Sequence, residues 1–256
     1  MKGSNVKKLL SSHDQLSADE YLSLRGEKYN LCNIIASRLS LNSSHVVLDI
    51  GCGPGQNSNR FREITSAEVI GVDLDIKRVR HAKGLWKNIS FMHADVAALP
   101  VEANSINAVT SMISFHRFIN KQQALKEMGR VLKPNGKIAI ATTTAEKLKR
   151  RVDFQMFPSA LSFECNRFGS AEEIVKLLKI SGYKNICIED FSDYICNVDE
   201  GFMSWVKSKP FSIFRHISEK EFEMGLNKLQ ELILLTGSSL PHYDDYTLIF
   251  GEYDNG

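Results

Sequence analysis

What this sequence lacks is informative before what it holds. It has no apolar run long enough for a membrane-spanning helix, which needs about 20 residues. Its opening stretch, MKGSNVKKLLSSHDQ, carries lysines but only two consecutive leucines where a secretory leader has an apolar core. Neither span nor leader is expected, and the expected location is cytoplasmic. Cysteine is sparse: Cys32, Cys52, Cys165, Cys187 and Cys196 are odd in number and scattered, with no C-x-x-C pair. That argues against a disulfide frame or a zinc site and for reduced thiols, so no metal is expected. Charge of one sign is not in excess either. With 32 basic and 30 acidic residues the net charge is +2, too even to call for nucleic acid or another polyanion. There is no internal repeat and no low-complexity linker. What remains, at 43% hydrophobic and 24% charged residues, is an ordinary globular composition.

The chain is organised around Val46 to Gln56, VVLDIGCGPGQ. Val46, Val47, Leu48 and Ile50 suit a strand buried on both faces, interrupted only by Asp49. Gly51, Gly53 and Gly55 allow positive φ and let a ligand approach without meeting a Cβ. Gln56 onward reads as a helix whose free N–H groups face the same ligand. A second apolar run, Val69 to Val72, ends at Asp73. This is the strand–loop–helix–strand–acid layout of a nucleoside-binding half-sheet. Its spacing is G-x-G-x-G after an in-strand acid, rather than the dinucleotide G-x-G-x-x-G, which sets an NAD site behind.

The remaining elements follow in order. Ser17 with Glu20 forms a possible capping box for a leading helix through Tyr21 to Leu39, and residues 1–17 read as a mobile tail or lid. Strands are predicted at Val46–Ile50, Glu68–Val72, Ile89–His93, Ile106–Ile113 and Lys137–Thr143, with helices at Gln56–Glu63, Ile76–Lys83 and Lys121–Leu132. Pro134 and Gly136 mark a tight turn. Ala171–Ile180 reads as a helix closing at Gly182, Asn185–Phe191 as strand six and Tyr246–Tyr253 as the last strand. A largely helical insertion lies at about 199–235. Strands alternating with helices predict an α/β fold with a parallel sheet covered on both faces.

Five segments carry a family resemblance: VLDIGCGPG, GVDLD, HADVAALP, SINAVTSMISFHRF and LKPNGKIAIATT. From about Leu41 to Thr144 the chain resembles the class I S-adenosylmethionine (SAM)-dependent methyltransferases, small-molecule type, of the ubiquinone/menaquinone-biosynthesis (methyltransferase type 11) group. The resemblance implies a Rossmann-like, seven-stranded, mostly parallel sheet whose last strand is antiparallel. It implies one domain over 1–256: an N-terminal tail and lid helix (1–40), a SAM-binding core (41–144) and an acceptor-side, C-terminal part (145–256). SAM would be the cofactor and a small molecule the methyl acceptor, in a monomer or homodimer.

The same resemblance assigns roles. Asp49, Gly51, Gly53 and Gly55 would meet the methionyl part, with the acid near its ammonium. Asp73 would accept the ribose hydroxyls, Leu74 would flank the adenine, Asp95 would take its amino group and Val96 would offer a backbone N–H. For Asp73 the alternative is a helix cap, and for Asp95 an ordinary turn. Ser111 would lie beside the methionyl group. Ile106–Asn107 stands where the family usually has Phe-Asp, which removes a carboxylate. His116 is the candidate catalytic residue, as base or substrate-orienting group, against a structural histidine satisfied by backbone. Tyr21, Arg25 or Tyr29 would reach the cofactor from the lid. Phe154, Phe157, Phe163, Phe168, Phe202, Trp205 and Phe211 read either as walls of the acceptor site or, better, as core. KLKRR, Lys147 to Arg151, reads by default as solvated. The alternatives to an enzyme of this kind are a non-catalytic SAM-binding sensor or partner subunit, and an RNA or protein methyltransferase.

Overall fold

The computed structural model describes residues 29–254, and side chains from Leu31 onward. The predicted capping box of Ser17 and Glu20, and the lid candidates Tyr21, Arg25 and the Tyr29 side chain, therefore lie outside the described residues. The elements run α1 (Tyr29–Arg38), β1 (Val46–Ile50), α2 (Gln56–Thr65), β2 (Glu68–Asp73), α3 (Ile76–Leu85), β3 (Ser90–His93), β4 (Ile106–Met112), α4 (Lys121–Val131) and β5 (Leu132–Thr142). They continue with α5 (Ala145–Leu148), α6 (Val152–Gln155), α7 (Pro158–Phe168), α8 (Ala171–Ile180), β6 (Tyr183–Asn197), α9 (Glu200–Lys207), α10 (Glu219–Thr236) and β7 (Pro241–Tyr253). Short 3-10 turns cover Phe115–Arg117 and Ser212–Arg215.

All seven strands form one sheet in the order β3-β2-β1-β4-β5-β7-β6, parallel from β3 to β5 with β7 antiparallel to β5. The expected sheet is the observed one. From β1 the chain steps outward to β2 and β3 in one direction, and from β4 to β5 in the other. Right-handed crossovers then put α2 and α3 on the face opposite α4. The order reverses between β1 and β4, so the crevice at their carboxyl ends is the switch point where open α/β sheets bind ligands.

Local chemistry explains the boundaries. Asp75 caps α3 by accepting from the Lys77 N–H at 2.8 Å, and Asn120 caps α4 by accepting from Gln123 N–H at 3.0 Å. On α4 the buried residues Ala124, Leu125, Met128 and Val131 recur at helical spacing and face the sheet. Several strands extend past their expected bounds, β7 among them, which starts at Pro241 rather than Tyr246. β5 begins at Leu132, ahead of the predicted turn, because Leu132 already pairs with Ile106 before the register breaks at Asn135, which takes φ 59°. β6 reaches Asn197, not Phe191: it is the edge strand, half-exposed along its length, so its polar residues Asp190, Ser192 and Asp193 read as loop.

The described chain separates into two compact units. One takes residues up to Thr142, with 171–189 and 247 onward, and its core holds Leu48, Ile50, Val109, Leu125, Met128, Ile138, Ile140, Leu178 and Ile249. The other takes 143–170 and 190–246, and its core is aromatic. Phe157 stacks on Phe222 with centroids 5.3 Å apart and meets Phe214 at 4.9 Å. Phe154, Phe157 and Phe202 are buried there, and Phe163, Phe168, Trp205 and Phe211 pack against them, as the plainer reading of these rings expected. The solvated reading of KLKRR is corrected for three of its members, Leu148 and two cations. Lys147 is buried, donating to the Tyr246 carbonyl at 2.6 Å and pairing with Asp190. Arg151 is buried between Asp153, at 2.7 Å, and Asp244. Only Lys149 and Arg150 face solvent. Among the described residues no helix is long and apolar enough to cross a membrane.

Candidate functional site

The carboxyl ends of β1, β2 and β4 bring the predicted residues into one neighbourhood. β1 is buried from Val47 to Ile50, and the chain leaves it through Gly51, Gly53 and Gly55, whose φ angles are 70°, 55° and 85°. All three are left-handed, yet they are glycine for different reasons. A Cβ at Gly51 would stand 2.4 Å from the Ser114 Cβ, and one at Gly55 would stand 2.6 Å from the Phe91 ring and 2.8 Å from Trp86. These two permit protein packing. At Gly53 nothing among the described residues lies within 4 Å of the Cβ position. Room for an approaching ligand is therefore concentrated at the middle glycine.

The loop peptides are held one by one. The Gly51 and Cys52 N–H groups both donate to the Val72 carbonyl, at 2.7 and 3.0 Å. Gly53 N–H donates to Asp73 Oδ2 at 2.8 Å, and Gly55 N–H donates to the Cys52 carbonyl at 3.0 Å. Ser114 Oγ donates to the Ile50 carbonyl at 2.7 Å, and the Trp86 indole N–H donates to the Pro54 carbonyl at 2.9 Å. α2 then starts with no side-chain cap at Gly55. Its first-turn N–H groups add positive potential at the same end of the sheet.

Asp49 sits beneath this loop, 1% exposed. Its carboxylate accepts from Ser58 Oγ at 2.6 Å and from Thr110 Oγ1 at 3.2 Å, so β1, α2 and β4 meet on it. Burial raises its pKa from 3.8 to about 6; the two hydroxyls oppose that shift and the nearby Asp73 charge adds to it. Asp73 is half-buried and receives two backbone N–H groups, Gly53 on Oδ2 and Asp75 on Oδ1, each at 2.8 Å. It is not a helix cap; that task belongs to Asp75. Next to it Leu74 is 62% exposed, its carbonyl bonded to His93 Nε2 at 2.9 Å.

Asp73 pairs in register with His93 on β3, which carries Asp95 and Val96 to the same end of the sheet. Asp95 is exposed and its Oδ1 accepts from Ala97 N–H at 2.9 Å, so the turn role is present whatever else the carboxylate does. Val96 is half-buried against the core.

β4 supplies the other wall. Ser111 is fully buried, 2.7 Å from Ser114 Oγ. Since the single Ser114 proton goes to the Ile50 carbonyl, Ser111 must be the donor to Ser114. Between them Ile113 holds φ 51°, a left-handed β-branched residue that costs about 1–3 kcal/mol. His116 follows in the 3-10 turn, 6% exposed, its Nε2 accepting from Arg117 Nε at 3.3 Å. Asn107, at the position where the resemblance would place an acid, accepts from Val46 N–H at 2.9 Å and from Lys133 Nζ at 3.0 Å, so it ties β1 to β5. Sequence reasoning missed Ser114 and Trp86, which act through the fold rather than through a motif. The tight fit of the glycines and the two hydrogen bonds to the loop reveal them.

Known proteins share parts of this sequence and the fold. Residues 47–136 match the model of a family described as a methyltransferase domain. Over 110 residues the chain is 34% identical to the methyltransferase GfsG of Streptomyces halstedii, covering 41% of this chain and 40% of that one. The chain thus spans two-fifths of that relative's length. Over 236 residues it is 25% identical to the 27-O-demethylrifamycin SV methyltransferase of Amycolatopsis mediterranei, covering 83% of this chain and 80% of that one. Among solved structures, phosphoethanolamine N-methyltransferase 2 of Haemonchus contortus, in complex with phosphomonomethylethanolamine and S-adenosylhomocysteine (SAH), shares the fold. Its TM-score is 0.62 at 16% identity, over 96% of this chain and 59% of that one.

Proposed function

We propose, from the premise that this chain belongs to the class I SAM-dependent methyltransferases, that it transfers a methyl group from SAM to a small-molecule acceptor and releases SAH. The observation that carries the reading is Asp73. Its carboxylate reaches from β2 to the backbone of the glycine loop, beside the loop glycine whose Cβ direction meets nothing among the described residues. A carboxylate oxygen has two lone pairs, so each oxygen that takes a backbone N–H keeps one for a ribose hydroxyl. Leu74, exposed beside it, offers an apolar surface for a base, and Asp95 and Val96 follow the end of the next strand, on the side of its edge. Asp49, Gly51, Gly53, Gly55 and Ser111 complete the methionyl side.

SAM supplies an electrophilic sulfonium methyl, so the chain's own work is to bind, orient and exclude water. Gly53 admits the ligand and Asp73 fixes its sugar. His116 stands in the turn after β4 as the group to orient an acceptor or take its proton. The Amycolatopsis relative, aligned over most of both chains and named for a small-molecule acceptor, supports the acceptor class.

Calorimetry tests the reading. SAH should bind the protein and NAD should bind far more weakly. Asp73→Ala should weaken SAH by about 1.5–3 kcal/mol, about 10- to 150-fold, with the fold intact. NAD binding as tight as SAH would sink the assignment. An acceptor that yields SAH on turnover separates the enzyme from a silent SAM-binding protein.

A further inference from the structure

We infer that Trp86 is a positioning residue for the glycine loop and sets cofactor affinity without touching the reacting atoms; this rests on the methyltransferase reading above. The residue belongs to no motif. It closes α3, where its backbone N–H bonds the Ala82 carbonyl at 2.9 Å, and from there its indole reaches back 32 residues to the loop after β1. Two contacts meet on it. The indole N–H donates to the Pro54 carbonyl at 2.9 Å, and the ring edge occupies the space a Cβ at Gly55 would need, with Cδ1 2.8 Å from that position.

Both contacts act on one peptide plane. Pro54 has its φ fixed by its ring. The next peptide is gripped at its carbonyl by Trp86 and at its N–H by the Cys52 carbonyl. With both ends held, Gly55 is confined to its left-handed φ of 85°, and that angle aims the uncapped first turn of α2. The Pro54 carbonyl is buried with its residue, so without the indole it loses its donor and the plane is held at its N–H alone. The other anchors come from different elements: Ser114 after β4 holds Ile50, and Asp73 on β2 holds Gly53. Trp86 is the anchor at the helix end, and the only one of these side-chain anchors whose removal spares the carboxylate proposed to bind ribose and the β4 wall.

The test pairs two variants with the full-length protein. Trp86→Phe keeps a ring over Gly55 and removes the donor. Val79→Ala, in the buried face of the same helix, destabilises without reaching the loop. SAH affinity is read by calorimetry, melting temperature by circular dichroism, and the KM for SAM against kcat once an acceptor is in hand. Trp86→Phe should weaken SAH about 3- to 10-fold, the loss of one hydrogen bond, and raise the KM for SAM while kcat holds. Val79→Ala should lower the melting temperature and leave SAH affinity alone. Unchanged SAH affinity in Trp86→Phe overturns the inference, as does an equal loss of affinity in Val79→Ala. Failure of the unmodified protein to bind SAH at all overturns the methyltransferase reading instead, and this inference with it.

Discussion

Replacing Asp49 by asparagine should stabilise the protein at neutral pH. The group is an acid whose folded pKa is raised, so the usual sign is reversed. Its pKa moves from 3.8 to about 6, chiefly because the carboxylate is buried. Between those values the unfolded chain is ionised while the folded one holds the proton. Folding therefore takes up a proton, and stability falls as pH rises. The penalty is absent below 3.8, grows through the window and is complete above about 6. Roughly two pKa units at about 1.4 kcal/mol each give ~3 kcal/mol lost at pH 7 and above. Asparagine has the same shape and never ionises. Ser58 and Thr110 can both keep their bonds to it, because a hydroxyl rotates to accept from the amide NH2 as readily as it donates to the amide oxygen. The variant should match wild type near pH 4 and exceed it by ~2–3 kcal/mol at pH 8, measured by urea unfolding across the range. Under the proposed role beside the methionyl ammonium it should also bind SAH more weakly, so that stability and function part company. A stability difference that stays flat from pH 4 to 8, or grows in the acid direction, would refute the argument from burial.

Other outcomes follow from the same geometry. Gly51→Ala should cost more than ~3 kcal/mol, since it adds a left-handed alanine to a 2.4 Å overlap with Ser114, whereas Gly53→Ala should cost only about 1–2 kcal/mol in unfolding and show its main effect as lost SAH affinity. His116→Asn should lower turnover about 10²- to 10⁴-fold with SAH affinity kept; intact turnover with a lower melting temperature would make the residue structural. Arg151→Met should destabilise by about 3–5 kcal/mol, because Asp153, 0% exposed, is left beside an uncharged side chain, while Arg150→Ala should leave the melting temperature unchanged.

How far the fold was legible depended on whether the information was local. β1 and α8 have the expected bounds because each is closed by neighbours in sequence: glycines after Ile50, and Gly182, at φ 90°, just past Ile180. The loop motif and Asp73 are consecutive or nearly so, and they converge as expected. β6 and β7 run longer than predicted because an edge strand and its neighbour gain pairing partners that no local pattern announces. The helices α6 and α7 were unread, although Pro158 stands at the first turn of α7, where its missing N–H costs nothing. The charges of Lys147 and Arg151 turn inward only because carboxylates and a carbonyl from residues 190, 244 and 246 arrive around them, and Asp153 alone is near in sequence.

The position of β7 in the sheet has a consequence for how the protein is made. Among the described strands β6 has β7 as its sole neighbour, and β7 is encoded about forty residues downstream. On the ribosome, β6 must wait with both edges bare while β5 also lacks its outer partner. At about 5–20 residues per second the interval is about 3–10 s, long for an exposed strand edge. Glu189, Asp190 and Asp193 along β6 put like charges on that edge, which opposes edge-to-edge pairing between identical strands.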